Sequence, residues 1–142
     1  MNAPLYNNAI LKLAVGNPAA ARLHDPMGSA ERRSPVCGSR VIVDIAVGDD
    51  KRVSAIGMAV NACALGQASA TLMARAVAGR TAGEIADARD SLAAWLGGAG
   101  AMPDWPGIDQ LAPALPYTAR HAAILLAFEA AAEAAARASD HS

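Results

Sequence analysis

Hydrophobic and polar positions alternate most cleanly over residues 40–47. Val41, Val43, Ile45 and Val47 fall on one side of an extended chain, which predicts a strand with one buried face. Gly48-Asp49-Asp50-Lys51 reads as a hairpin turn, and residues 53–60 as the returning partner strand. Turn-rich residues 17–29 lead to a short strand expected around residues 30–33. Before them, Leu5, Ile10, Leu11, Leu13 and Ala14 outline an amphipathic helix over residues 5–15 that Gly16-Asn17-Pro18 ends.

Everything after Cys63 has a helical period. One helix is expected over residues 67–78, stopped by Gly79. Thr81-Ala82-Gly83-Glu84 is a capping box, with the hydroxyl set for the third amide and the carboxylate for the cap amide, so a second helix starts there and runs to Gly97-Gly98. Residues 97–117 hold four of the eight prolines and four glycines, and predict a structured loop with a short helical turn anchored by Trp105, Ile108 and Leu111. Thr118 is expected to cap a final alanine-rich helix with Ile124, Leu125 and Phe128 on its core face, fraying after Ala130. The predicted class is α+β: a small antiparallel sheet of about three strands covered on one face by helices, in a single domain over residues 1–142.

Composition narrows the function. At 142 residues, 54% of them hydrophobic, the chain can bury a real core, though much of that content is alanine. The net charge of −1, with acids and bases interspersed, argues against nucleic acid or an anionic membrane as the main partner. No apolar run reaches the roughly 20 residues of a membrane span, and the N-terminus lacks a signal-peptide layout. A cytoplasmic protein with reduced thiols is expected. Abundant arginine and alanine suggest a GC-rich bacterial genome. Phosphate-loop, nucleophile-elbow and zinc-protease patterns are absent.

The candidate chemistry lies in the two cysteines. Cys37 sits in a Pro-x-Cys-Gly turn before one strand, and Cys63 closes the other, so the paired strands can bring the two thiols together. Cys63 also opens a helix, where unpaired amides and the helix dipole favour a thiolate nucleophile or ligand. The competing reading is a small buried hydrophobe. His141 is a tail residue and His24, beside Asp25, reads as surface. His121, in the first turn of the last helix, draws interest only from its neighbourhood.

Taken together these residues resemble the U-type iron–sulfur cluster scaffolds, the family of IscU, SufU and the NifU N-terminal domain. Ser34-Pro35-Val36-Cys37-Gly38-Ser39-Arg40 looks like the family's Asn-Pro-x-Cys-Gly-Asp-x. Ala62-Cys63-Ala64 leading into Ala68-Ser69-Ala70 is similar to its Gly-Cys before a serine-rich helix start, and residues 119–126 to the segment with its third cysteine. The long stretch between Cys63 and the last helix is closer to SufU than to IscU. The resemblance implies a non-enzymatic scaffold for a transient iron–sulfur cluster, iron or zinc, with Cys37 and Cys63 as ligands. It also implies a cysteine desulfurase and other assembly proteins as partners, and allows a homodimer.

Two family ligands are replaced: Ser39 stands at the aspartate and Ala123 at the third cysteine, with Ala122 where IscU has histidine. The full family ligand set is therefore not present. His121 is a candidate third donor, although on an ideal helix it points about 200° from residue 123; Arg120 shares the face of Ala123 more naturally. Three readings remain open: a scaffold or sulfur acceptor using Cys37 and Cys63, a module that keeps the fold and partner surface without the chemistry, and a reversible Cys37–Cys63 disulfide.

Overall fold

The computed structural model describes residues 5–35 and 38–140. Val36 and Cys37 lie outside the described residues, as do His141 and the first four residues. Three antiparallel strands, β1 (Gly28–Arg33), β2 (Arg40–Val47) and β3 (Val53–Asn61), form one sheet in sequential order. The α+β expectation holds: Val41, Val43 and Ile45 are fully buried and Val47 nearly so. The hairpin turn places Lys51 at φ 63°, and its ammonium donates to the Ser139 carbonyl at the C-terminal end of the last helix (2.8 Å), where a cation is favoured.

Four helices complete the chain: α1 (Asn8–Ala14), α2 (Ala64–Ala76), α3 (Ala82–Leu96) and α4 (His121–Ser139). The helices cover the sheet in layers. Helix α4 lies across β1 and β2, α2 packs on α4 and reaches β3, and α3 stacks on α4. The Thr81–Glu84 capping box forms in full. Helix α2 is buried almost all round and is stitched to both neighbours by hydroxyls: Ser69 donates to Ile124 O on α4 and Thr71 to Leu13 O on α1, each at 2.6 Å. Trp105, Ile108 and Leu111 are buried as expected, and a 3-10 turn at Ile108–Ala114 runs through Pro113. Trp105 donates to Leu72 O (2.8 Å), meets Phe128 edge-on at 5.1 Å between ring centres, and carries the Arg80 guanidinium over its face.

Three expectations are corrected. Thr118 does not cap α4: Thr118–Arg120 forms a 3-10 turn, and α4 follows with Arg120 at its cap and no side-chain cap bond. The turn's own bonds, Tyr117 N to Ala114 O and Arg120 N to Tyr117 O, carry the chain into the helix. Helix α2 starts at Ala64 rather than residue 67. Nor does α4 fray after Ala130, since Ala131, Ala134, Ala135 and Ala138 are completely buried. Their methyl groups let α4 lie so close to β1 that a Cβ on Gly28 would overlap the Ala134 carbonyl and the backbone at Ala138.

Residues 17–23 cover part of the other sheet face, around Gly57 and Asp44. Met58 N donates to Ala19 O (3.0 Å) and Ala21 O (3.2 Å) along the free edge of β3. The segment then crosses Gly57, where a Cβ would collide with Ala21 O and Leu23 N. It ends on the fully buried Asp44, which accepts from Arg22, Leu23 N and Ser29 Oγ. Burial pushes the Asp44 carboxyl up, but the hydrogen bonds from Arg22, Ser29 and Leu23 outweigh it and hold the group below its ordinary value. Asp44→Ala should destabilise the chain by about 2–4 kcal/mol in chemical denaturation, because it strands several donors. A lowered folded pKa places the Asp44 contribution above the unfolded carboxyl value of about 4 and removes it as pH falls further. The wild type should therefore lose stability more steeply than the alanine variant on acidification below that value, measured by urea melts across the acid range.

Candidate functional site

The site is built at one end of the sheet. Arg40, which opens β2, is in register with Arg33 on β1 and with Asn61 on β3. The β1–β2 turn and the exit of β3 therefore share that end. Ser34 N donates to Ser39 O (2.9 Å) and Gly38 N to Ser34 O (3.2 Å), and Gly38 takes a left-handed φ of 71°. That conformation carries little penalty for glycine. Ser39 is buried. Ser34 Oγ is also buried and has no hydrogen-bond partner among the described residues, an arrangement that costs stability unless an acceptor arrives.

Two residues past β3, Cys63 is the N-cap of α2, with extended dihedrals (φ −64°, ψ 170°) and no cap bond from its side chain. Its carbonyl accepts from Gln67 N (2.9 Å), while Gln67 Nε2 reaches back to Ala62 O (3.0 Å) and fixes the strand exit. Cys63 is a free, half-buried thiol that packs partly against the core. The helix start it was expected to mark is where α2 begins.

One turn into α2, Gly66 allows α4 to approach. A Cβ there would lie 2.8 Å from Ala62 Cβ, 3.3 Å from Ala123 O and 3.7 Å from Ala123 Cβ. Ala123 is thus brought against the turn of helix that Cys63 opens, and it is buried. His121 is turned elsewhere. Its Nε2 lies 3.1 Å from both Ala114 O and Leu115 O, the end of the preceding 3-10 segment. Carbonyls only accept, so Nε2 is the donor in these contacts and Nδ1 is the ring nitrogen outside them. Cys37 lies outside the described residues, so the structure does not place it. Among the described residues, no three His, Cys, Asp or Glu side chains form a group able to hold a metal ion.

Gly66 and Ser34 were not singled out by sequence reasoning. The run of small residues after Cys63 carried a signal for Gly66, since a helix buried on all sides needs small side chains where a neighbour crosses it. Nothing in the sequence distinguishes Ser34, whose hydroxyl is orphaned by the way the turn folds.

Fold and site define a class: a three-stranded sheet layered under helices, with a cysteine at a helix N-cap where the strands and two helices converge. No protein-family model matches the sequence, and no curated protein matches it. Solved structures do. A nitrogen-fixing NifU-like protein (N-terminal part) from Brucella abortus is 37% identical, with a TM-score of 0.87 over 96% of this chain and 95% of that one. A putative iron–sulfur cluster assembly scaffold protein for the SUF system from Fervidobacterium islandicum shares the fold at 18% identity, TM-score 0.84, covering 92% of this chain and 96% of its own. The chain belongs to the NifU-like family of U-type iron–sulfur cluster assembly scaffolds.

Gly66→Ala should test the approach of α4 to Cys63. The added methyl must displace Ala62 or Ala123, at a cost of about 1–3 kcal/mol in thermal or chemical unfolding. The Cys63 thiol should also change its alkylation rate in the folded variant, because Ala62 adjoins it.

Proposed function

We propose that this protein is a scaffold in iron–sulfur cluster assembly, holding iron or a labile cluster, or receiving sulfur, at Cys63 together with Cys37. The observation that carries the reading is the place of Cys63: a half-buried cysteine at the N-cap position of a helix, at the sheet end that also receives the β1–β2 turn. Family membership supports it, as does Cys37 preceding Gly38 in that turn's sequence. A helix N-terminus favours thiolate sulfur and any anionic group bound to it. Ser34 Oγ offers a buried donor with no partner among the described residues.

The fit to a cluster is incomplete. Ala123 presents a methyl group and Ser39 a hydroxyl at positions where the family has a thiol and a carboxylate. His121 would coordinate through Nδ1, with Nε2 oriented by the two carbonyls as the outer partner of such a ligand. Otherwise the missing donors come from a partner. A cysteine desulfurase is the partner this chemistry calls for: Cys63 thiolate attacks the outer sulfur of the enzyme's persulfide, a new S–S bond forms on Cys63, and the desulfurase thiolate leaves. The protein thus acts as carrier and platform rather than as a turnover enzyme.

A second reading is favoured by the same methyl and hydroxyl: a homologue that keeps the fold and its partner surface but has lost assembly. Iron, acid-labile sulfide and zinc per chain, after anaerobic reconstitution with a desulfurase, separate the two. Under the scaffold reading the wild type binds, while Cys37→Ala and Cys63→Ala each abolish binding; His121→Ala weakens it only if Nδ1 is a ligand. The double variant Ser39→Asp, Ala123→Cys should bind more strongly, since it returns a carboxylate and a thiol to the positions where the family pattern has them. A wild type as metal-free and sulfide-free as both cysteine variants, beside a restored variant that binds, would establish the second reading.

A further inference from the structure

Strand β1 is an edge of the sheet, and its outer main chain is unpaired in a pattern that matches itself. Ser34 N bonds Ser39 O, and hydrogen-bonded pairs alternate along an antiparallel ladder. Residues 28, 30 and 32 therefore direct their main-chain groups to β2, while Ser29, Glu31 and Arg33 direct theirs outward. The Arg137 guanidinium confirms this by donating to Ser29 O from outside the sheet. No hydrogen bond outside the β1–β2 ladder reaches the main chain of Glu31 or Arg33 among the described residues. Both residues are exposed.

We propose that β1 pairs with β1 of a second copy of this chain, antiparallel and with Arg32 on the two-fold axis, joining two sheets into one of six strands. This register sets Glu31 opposite Arg33 of the partner, and Arg33 opposite Glu31 of the partner. Each pair exchanges two main-chain hydrogen bonds, four in all, using the groups left open in the single chain. The ladder ends by itself, because Arg137 occupies Ser29 O and Pro35 has no N–H. Glu31 and Arg33 already pair along the strand at 2.6 Å, so two copies give a square of alternating charge on one face. On the other face the two Arg32 side chains meet, but each has Glu129 and Glu133 within 3.9 Å to offset the repulsion. Moving the two-fold axis by one residue, which slips the pairing by two, sets Glu31 against Glu31 or Arg33 against Arg33, so the charges select the register. The pairing stands whether or not the thiols hold a cluster.

Sedimentation of the full chain from micromolar to millimolar concentration tests this. The wild type should form a dimer that weakens with added salt. Glu31→Arg alone and Arg33→Glu alone should each weaken it by roughly tenfold or more, because attraction becomes repulsion at both pairs. The double variant Glu31→Arg, Arg33→Glu should regain association, and so should an equimolar mixture of the two single variants. Hydrogen exchange on the wild type gives a second readout: the Glu31 and Arg33 amides should slow as concentration rises. A monomer throughout, a dimer indifferent to the reversals, a charge swap no better than the single variants, or fast exchange at both amides at every concentration overturns the proposal.

Discussion

Close approach between backbones, made possible by small side chains, is the constraint on which this structure depends. Helix α4 meets β1 where Gly28 has no side chain, and meets α2 where Gly66 faces Ala123. Alanine contributes little apolar area per residue, so such a core gains stability by packing density rather than by large side chains. The hydroxyls of Ser69 and Thr71 suit this arrangement, since they reach carbonyls on α4 and α1 only when the helices run this near. Larger groups fill the space around these contacts: Leu65, Met73, Ile124 and Phe128 are fully buried, and Trp105 meets Phe128 between α2, α4 and the proline-rich segment.

The candidate site inherits its geometry from that packing. Cys63 owes its position to β3, which ends beside the start of β2, and to α2, whose first turn α4 pins from the other side. A thiol held at such a junction is oriented by main chain on two elements, while remaining half-exposed to a partner or cargo. On the opposite face, residues 17–23 cover Gly57 and Asp44 and run along the free edge of β3.

The ligand positions set this chain apart from the family pattern its sequence resembles. Where the family pattern that the sequence resembles has a carboxylate and a thiol, this chain has the hydroxyl of Ser39 and the methyl of Ala123. Under the scaffold reading proposed above, a second protein completes the coordination sphere. The same framework without cargo would still display its partner surface.

What the sequence determined by itself was the set of elements whose signals are local. Alternation at Val41, Val43 and Ile45 specified the hairpin and its buried face, the Thr81–Glu84 box marked the start of α3, and Cys63 marked the junction of strand and helix. Resemblance at the residues flanking the thiols supplied the family. Tertiary structure alone decided how the helices are layered, that α4 continues past Ala130, and that His121 turns to the carbonyls of residues 114 and 115. An alanine run carries no mark of burial, because the methyl group is tolerated in water and becomes informative only when a strand and two helices press against it. The orphaned hydroxyl of Ser34 and the open main chain at Glu31 and Arg33 are likewise invisible in a linear sequence, since each is defined by which neighbours the fold withholds.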